Sequence, residues 1–443
     1  MKKKFRVAIH TLAIKRDIAS RYVLSKLLEH HDCEVCLTSV RTYARVLKYW
    51  RPHGFVSVIS TKVPFSIKTF PDAKFFHCAG EGAEYSTSFD EQHLLENERI
   101  FDKLSRIYLW GDVAKENMLK KCDEFGKPHL KKYINSDGKV LVNGHPRVDV
   151  SRYMPRKDSS SRNSIGFVGR FPTINDYKGT STLHFGFVRE FEIREAELEL
   201  KLLRCYLKII DYIIDYTSFN ISIRPYPAEN SKQYFRREID GKHSGFNNRK
   251  YNGRIEIDDS LDFSSWCMAQ KAIISSQSTM ITEAYLMDIP AINIDKVAGA
   301  YDAVQERGEK YGIHNILMEA PYQPNTYKEL FSALLETNNI PINKHKLEEL
   351  WDGCYNLNQK GSVLNRMAKD IVKELESGHH SLKPLLGLKI LKLYDNYSFY
   401  KACKKEPFHP CFYYKEGYHE IPSHYDEIVK NILNESIDHQ SFT

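Results

Sequence analysis

The sequence predicts an α/β protein with two doubly wound parallel sheets and a helical C-terminal extension. Strand-like apolar segments alternate with helical segments over residues 1–150, and the alternation restarts at residue 164. After about residue 335 the pattern becomes mainly helical. We therefore expect domains at 1–150 and 164–335, a linker at 151–163, and an extension at 336–443 of which some helices pack back on the first domain.

The composition of the 443 residues is that of a globular protein, with 42% apolar and 27% charged residues. The net charge of +7 permits an anionic partner, but no pattern of a nucleic-acid domain accompanies it. No apolar run is long enough to span a bilayer, and the basic N-terminus lacks the apolar segment of a secretory signal. Nine cysteines without framework spacing fit reduced thiols. We expect a cytoplasmic protein without a nucleic-acid partner.

The first domain is predicted to begin with a strand at 5–10 and a helix at 18–30 whose inward positions are apolar. Strands alternating with helices form a parallel sheet covered on both faces. Further strands are predicted at 33–38, 55–59, 74–78, 107–110 and 140–143.

Polar loops follow two of these strands, at 79–85 and at 144–149. Ligands of open α/β sheets bind at the carboxyl ends of the strands. We therefore expect His10, Glu81, Glu84 and His145 to line a ligand cleft, although each of them alone also suits a surface loop.

The second domain is predicted to begin with a strand at 164–168, followed by a loop at 169–179 and a long helix at about 190–216. A strand at 219–223 leads directly into Arg224-Pro-Tyr-Pro-Ala-Glu229. Another strand at 255–257 precedes a helix that opens in segment 258–266. The chain then reaches its most informative stretch.

Residues 271–294 indicate a strand, a polar turn, a helix and a second strand that Pro290 opens. Ser275, Ser276, Ser278 and Thr279 place hydroxyl groups where the helix begins, so its first amides are capped or left free for an anion such as phosphate. Glu283 lies one turn later and can reach the sugar attached to that phosphate. An ordinary crossover with a Ser/Thr cap remains an open alternative.

Several other motifs are absent or incomplete. Cys33 and Cys36 have the spacing of a metal pair, but they lie in a predicted strand where residues three apart face opposite sides. No Gly-x-Gly-x-x-Gly follows the first strand and no Walker loop occurs, which argues against a dinucleotide enzyme or an ATPase.

Three loops of the second domain should meet at one edge of its sheet. Asp176 follows the first strand, Arg224 and Tyr226 follow the next, and the Ser/Thr cluster with Glu283 follows a later one. Together they offer a carboxylate, a guanidinium suited to phosphate, and a helix N-terminus.

These residues resemble those of a known family. Gly144-His-Pro-Arg-Val-Asp149, Arg224-Pro-Tyr-Pro-Ala-Glu229 and Ser276-Gln-Ser-Thr-Met-Ile-Thr-Glu-Ala284 look like the bacterial surface-carbohydrate glycosyltransferases of GT-B architecture. Within these the sequence is most similar to the retaining β-Kdo transferases of capsule and O-antigen assembly. The resemblance covers roughly residues 1–335. It implies two Rossmann-like domains that face a cleft, the first for the acceptor and the second for the nucleotide sugar.

The resemblance also implies a donor and a mechanism. A CMP-activated sugar acid such as CMP-Kdo would be the donor, Asp176 the nucleophile, and Glu283 the ribose ligand, with no metal or other cofactor. A lipid-linked or oligosaccharide acceptor would be deprotonated by His10, Glu81 or the departing phosphate. Where the family has histidine this chain has Tyr226, whose phenol can donate a hydrogen bond to phosphate. The implied donor-binding residues are Arg170, Arg224, Tyr226, Ser275, Ser276, Gln277, Ser278, Thr279 and Glu283.

Two alternatives stay open on the sequence. One is an inverting transferase that uses a UDP- or GDP-sugar, or a glycerophosphotransferase, in which Asp176 is structural. The other is a non-catalytic glycan-binding or assembly subunit. Lysines interleaved with apolar residues at 383–405 suit either a solvated helix or peripheral contact with the cytoplasmic face of the inner membrane.

Overall fold

The computed structural model has two compact units, each with its own parallel sheet. The first contains Met1–Pro155, Tyr311–His314 and Glu349–Thr443, and the second contains Arg156–Lys310 and Asn315–Glu348. The residues that the structure describes are 4–11, 14–39, 43–57, 63–78, 89–135, 138–155, 162–175, 190–226, 229, 253–311, 319–378, 383–390, 393, 397 and 421–440.

The strands, in chain order, are β1 (Phe5–Thr11), β2 (Cys33–Ser39), β3 (Gly54–Ser57), β4 (Lys74–Cys78), β5 (Leu104–Leu109), β6 (Val140–Val142), β7 (Ser164–Val168), β8 (Asn220–Arg224), β9 (Ile255–Ile257), β10 (Ala272–Ser275) and β11 (Ala291–Asn293).

The α-helices are α1 (Ile14–His30), α2 (Tyr43–Trp50), α3 (Val63–Thr69), α4 (Phe89–Glu96), α5 (Glu98–Lys103), α6 (Asp112–Glu124), α7 (Lys131–Asn135), α8 (Pro146–Arg152), α9 (Glu190–Tyr216), α10 (Phe263–Met268), α11 (Met280–Leu286), α12 (Tyr301–Tyr311), α13 (Tyr327–Leu335), α14 (Lys344–Glu349), α15 (Val363–Glu376) and α16 (His424–Gln440). A π-helical turn spans Leu350–Cys354.

The sheet of the first unit has six strands in the order β2-β1-β3-β4-β5-β6. Each of its strand pairs is parallel, and β1 pairs with β2 from Phe5 opposite Cys33 onward. The chain leaves β1 first toward β2 and then returns to the other side at β3. The carboxyl ends of β1 and β3 therefore form the topological switch point of this sheet.

Helices from the C-terminal part complete the first unit. The helix α1 packs against α8, α15 and α16. The buried face of α15 carries Met367, Ile371 and Leu375 at helical spacing. Packing of α15 in the first unit therefore removes this apolar stripe from water. Arg106 on β5 binds Asp370 and Glu374, which fixes α15 to the sheet.

The sheet of the second unit has five parallel strands in the order β11-β10-β7-β8-β9. Its switch point lies between β7 and β10, since the chain moves outward through β8 and β9 before it returns on the other side. The long helix α9 covers this sheet with a buried apolar stripe formed by Leu198, Leu202, Cys205, Ile209 and Ile213. The predicted α/β class with two doubly wound sheets and helical C-terminal residues is therefore confirmed.

Some local predictions differ from the structure. The segment 144–149 is not an extended loop, because Pro146 starts α8 and His145 caps it by accepting a hydrogen bond from the Arg147 amide at 3.2 Å. This helix continues to Arg152, into the segment predicted as a linker. The strand predicted at 107–110 begins earlier, at Leu104. In the described part of the chain, every helix falls short of the length and apolar character that a bilayer crossing requires.

Candidate functional site

Four loops meet at the carboxyl edge of the second sheet, around the switch point between β7 and β10. The Gly169 amide after β7 donates to the Arg224 carbonyl at 2.8 Å. The Phe171 amide donates to the Glu229 carboxylate at 2.6 Å, which ties the loop after β7 to the loop after β8. The loop after β10 is joined to the end of β11 through Asp295. The loops after β7 and β8 are thus joined to each other, and so are the loop after β10 and the end of β11.

Gln277 is the central polar side chain of this edge. It is only 2% exposed, and its side-chain Nε2 and Oε1 have no hydrogen-bond partner among the residues that the structure describes. A buried amide without partners costs free energy, typically about 1–3 kcal/mol. An amide in this state offers one donor group and one acceptor group to a ligand.

Asp295 lies beside Gln277 and was not predicted from the sequence. Its Oδ2 accepts hydrogen bonds from the Gln277 amide at 3.3 Å and from Asn293 Nδ2 at 2.9 Å. Burial raises the pKa of this carboxyl, while Ser276, Asn293 and the charge of Arg170 offset part of the rise. The Asp295 carboxyl therefore fixes the loop after β10, and the charge of Arg170 acts on it from the loop after β7.

The hydroxyl groups of the Ser/Thr cluster have different roles. Ser275 is the last residue of β10, and its hydroxyl donates to the Ser276 carbonyl. The hydroxyl of Ser278 accepts from the Met280 amide at 3.3 Å and so caps α11. Thr279 is the N-cap residue by position but forms no side-chain cap, because its backbone is already helical. The capping expected of four residues is thus performed by Ser278.

Arg224 is held inside the protein rather than extended toward solvent. Its side chain is 3% exposed, its Nη1 contacts Asp258 at 3.1 Å and Ser260 Oγ at 3.2 Å, and its Nη2 donates to the Ser260 carbonyl at 3.0 Å. The guanidinium carbon also lies 5.7 Å from the Phe263 ring centroid. Arg224 therefore joins the end of β8 to the segment after β9.

Glu199 on α9 supports the loop after β7. Its carboxylate accepts from the amides of Thr173, at 2.9 Å, and Ile174, at 2.8 Å. Burial raises the pKa of Glu199 to about 7, and the hydrogen bonds from Ile174 and Thr173 offset part of the rise. The carboxylate thus holds the turn that directly precedes Asp176.

The remaining predicted donor-site residues differ in exposure. Tyr226 is 36% exposed and accepts a backbone hydrogen bond from the Glu229 amide at 2.8 Å. Glu283 is 4% exposed on α11, and its charge contributes to the raised pKa of the Cys267 thiol, for which burial is the larger cause. Asp176 lies outside the described residues.

The predicted acceptor residues belong to the first unit. His10 is fully buried at the end of β1, next to the switch point of that sheet. His145 is 3% exposed at the start of α8. Glu81 and Glu84 lie outside the described residues. The described residues contain no group of three or more His, Cys, Asp or Glu side chains placed to hold a metal ion.

Sequence reasoning missed Asp295, Glu199 and Glu229 as parts of this edge. Asp295 directly follows a predicted strand, so the carboxyl-end rule could have found it. Glu229 belongs to the motif that begins at Arg224, but its hydrogen bond with the loop after β7 was not predicted. The role of Glu199 could not be predicted from the sequence, because a single acidic residue on a long helix is ordinarily exposed to solvent.

No protein-family model matches this chain, and no curated protein sequence does. Solved structures are similar to it. A variant of the wall teichoic acid polymerase TagF is 12% identical, with a TM-score of 0.51 over 85% of this chain and 90% of that chain. MnaA from S. aureus, solved with UDP, is 12% identical, with a TM-score of 0.48 over 86% of this chain and 99% of that chain. The UDP-GlcNAc 2-epimerase from Methanocaldococcus jannaschii is 14% identical, with a TM-score of 0.43 over 84% and 99%.

At such low identity these similarities concern the fold, and only the score of the TagF variant is high enough to support an argument. The two parallel sheets, their strand orders and this likeness show a GT-B type of α/β fold.

Proposed function

We propose that this chain is a glycosyltransferase of bacterial surface-polysaccharide assembly that binds a nucleotide sugar at the carboxyl edge of its second sheet. The donor in this proposal is CMP-Kdo or a related CMP-activated sugar acid. The acceptor is a lipid-linked or oligosaccharide glycan bound by the first unit. Lipopolysaccharide, O-antigen or capsule would be the product class.

The buried amide of Gln277 is the observation that carries this proposal. Its two unpartnered polar atoms lie at the switch point of a doubly wound sheet, where such folds bind ligands. A sugar acid presents hydroxyl and carboxylate groups that satisfy a donor and an acceptor together. Asp295 and Arg170 add a carboxyl and a cation to the same edge. A bare anion would satisfy only half of this arrangement.

In the proposed mechanism the Asp176 carboxylate attacks the anomeric carbon, and the bond from that carbon to the CMP phosphate oxygen breaks. CMP leaves with the bonding electron pair, and a glycosyl ester remains on Asp176. An acceptor hydroxyl then attacks the same carbon, its proton goes to a base, and the ester bond breaks. Two displacements give net retention. Glu199 and Glu229 act as positioning residues, because they hold the turn before Asp176.

An alternative is transfer without a covalent intermediate, as an inverting transferase with a UDP- or GDP-sugar or as a glycerophosphotransferase. The likeness to a variant of a wall teichoic acid polymerase is the observation that favours keeping it. One fold can serve several reactions, so the fold does not choose the reaction. The alternative predicts nucleotide binding at Gln277 but no adduct on Asp176.

We also propose peripheral contact with an anionic membrane through the segment 383–397. Residues 388–390, 393 and 397 are helical, and Ile390, Leu393 and Tyr397 are 57%, 70% and 67% exposed. Lys383 and Lys389 are exposed in the same segment. Exposed apolar side chains beside lysines suit the surface of an anionic bilayer.

The donor site is tested by measuring the melting temperature with CMP, UDP and GDP for the wild type and for Gln277→Leu. The matched control is Gln270→Leu. Gln270 is likewise 2% exposed, but it lies at the amino end of β10, away from the ligand edge. We expect CMP to stabilise the wild type and the control, and the Gln277 variant to lose this response.

Equal stabilisation of all three proteins by CMP would contradict a donor site at Gln277. A second outcome is that UDP or GDP, rather than CMP, stabilises the wild type and not the Gln277 variant. This result would support a donor site at Gln277 but identify the donor as the UDP- or GDP-sugar of the alternative. No response to any nucleotide in the wild type would refute the proposed function.

A further inference from the structure

The ring of His145 is held rigidly in the first unit. It stacks on Trp110, with ring centroids 3.8 Å apart, and meets Tyr355 edge to face at 4.9 Å. Its backbone amide donates to the Tyr355 carbonyl at 3.0 Å. The ring is 3% exposed, so both its position and its orientation are set by packing.

Hydrogen bonding also sets the tautomer of His145. Its Nδ1 accepts from the Arg147 amide, so in the neutral ring the proton resides on Nε2. Burial lowers the pKa of His145 well below its usual value, and the charges of Arg147, Arg21 and Arg16 lower it further. The ring is therefore neutral and presents an Nε2–H donor. That donor is buried and has no acceptor within the described part of the chain.

Arg21 has unused donors of its own, and its charge acts on the His145 ring by lowering the pKa of that ring. It lies on α1, which packs against α8, and it is 3% exposed. Its Nε and Nη1 are buried and lack any acceptor among the described residues. A buried guanidinium without a counter-charge is costly, and such charges in proteins are nearly always paired.

The neighbouring carboxylates are already engaged. Asp17, one turn before Arg21 on α1, is bound by Arg16 at 2.8 Å. Asp149 on α8 accepts from Ser362 Oγ at 2.6 Å and from the Leu364 amide at 3.1 Å. His145 and Arg21 thus offer hydrogen-bond donors and positive charge, and the complementary ligand group has acceptors and negative charge.

We propose that Arg21 and His145 form an oxyanion-binding site in the first unit, which takes a phosphate or carboxylate group. The assignment of this group to the glycan acceptor rests on the proposed function, whereas the binding of the anion does not. In the glycosyltransferase reading, the acceptor would then be an anionic glycan or a lipid-linked phosphate. His145 acts in this site by donating from Nε2 and is not a general base.

The experiment is a thermal-shift titration of the full chain with methyl phosphate and, separately, with acetate, at constant ionic strength. The variants are Arg21→Met, which removes the charge at similar volume, and Arg21→Lys, which keeps the charge but loses the forked donors. The matched control is Lys26→Gln, which removes one charge from the same helix at a partly exposed ion pair with Glu29.

We expect one of the two anions to raise the melting temperature of the wild type and of Lys26→Gln in a saturable way. Arg21→Met should show no response, and Arg21→Lys should bind about tenfold more weakly or worse. Without added anion, Arg21→Met should melt at a higher temperature than the wild type, because an unpaired buried charge has been removed. A response to methyl phosphate alone assigns a phosphate, and a response to acetate alone assigns a carboxylate.

Equal responses in the wild type and Arg21→Met, or none in the wild type, would overturn the site. A response that survives in Arg21→Met but disappears in Gln277→Leu would place the anion in the donor site. This result would also overturn the oxyanion site at Arg21 and His145. Loss of CMP binding in Gln277→Leu together with loss of the anion response in Arg21→Met would show two separate sites. The two proposals can therefore fail independently.

Discussion

Asp149 shows how one residue of the 144–149 motif serves the fold. Its buried carboxylate binds Ser362 and Leu364 at the start of α15, and Arg152 on its own helix at 3.2 Å. The motif therefore joins the end of the first sheet to the C-terminal helices. This structural role does not depend on a ligand.

Asp149→Ala is expected to destabilise the protein by about 3 kcal/mol, because it leaves buried donors at Ser362 and Leu364 without an acceptor. Chemical denaturation measures the change. Asp72→Ala is the control, since Asp72 is exposed, and it should change stability by less than about 0.5 kcal/mol. An equally small loss for Asp149→Ala would refute this role.

Glu199 gives the site a pH dependence. Burial raises its pKa from 4.5 to about 7, so the folded chain holds this proton where the unfolded chain has lost it. Stability from this group is therefore fully present below about pH 4.5, falls as the pH rises to about 7, and is constant above.

Glu199→Gln removes this titration. We expect the difference in melting temperature, wild type minus variant, to be smaller at pH 7.5 than at pH 5. The Arg194→Gln variant on the same helix, also a single charge change, should leave the difference independent of pH. A difference that grows with pH would contradict the raised pKa.

At the scale of elements, a close contact fixes the π-helical turn to the first unit. Gly111 is the N-cap residue of α6, and a Cβ there would lie 2.2 Å from the Gly353 carbonyl oxygen. The opposing Gly353 has only an ordinary contact, since its Cβ would lie 3.7 Å from Val113.

Gly111→Ala should therefore destabilise the protein by about 2 kcal/mol or more, because the backbone must shift to admit the methyl group. Gly353→Ala is the matched control and should cost less than about 1 kcal/mol. Calorimetric melting temperatures decide between them, and equal values for both variants would mean that this contact does not restrain the π-helical turn.

Elements with strong periodicity were predictable from the sequence. The predicted bounds of α9 and β9 agree with the structure. A long apolar stripe defines the extent of α9, and polar turns on both sides define the ends of β9. The short helix α8 was not predicted, since its start depends on Pro146 and on the cap that His145 forms. The meeting of loops at the second sheet followed from strand order. The contacts of Arg224 with Asp258 and of Asp295 with the Gln277 amide did not, because they depend on packing between segments that are separate in the sequence.

In the molecule as a whole, Ile390, Leu393 and Tyr397 are exposed apolar side chains in a segment for which the sequence allows either a solvated helix or a membrane contact. We expect the protein to sediment with vesicles that contain phosphatidylglycerol and to remain in solution with phosphatidylcholine alone. Leu393→Ser should weaken this binding roughly tenfold or more.

The control is Leu335→Ser. Leu335 is 57% exposed on α13 in the second unit, so it tests the loss of a surface leucine elsewhere. Equal binding by both variants, or binding that does not depend on lipid charge, would contradict membrane contact through this segment.

The central claim is transfer of a CMP-activated sugar acid through Asp176, from a donor held at Gln277. The most direct measurement is the intact mass of the protein after incubation with CMP-Kdo generated in situ, for the wild type, Asp176→Asn and Gln277→Leu. We expect a mass gain of one Kdo unit in the wild type and in neither variant. Consumption of CMP-Kdo without any adduct in the wild type, or an adduct that persists in Asp176→Asn, would contradict it.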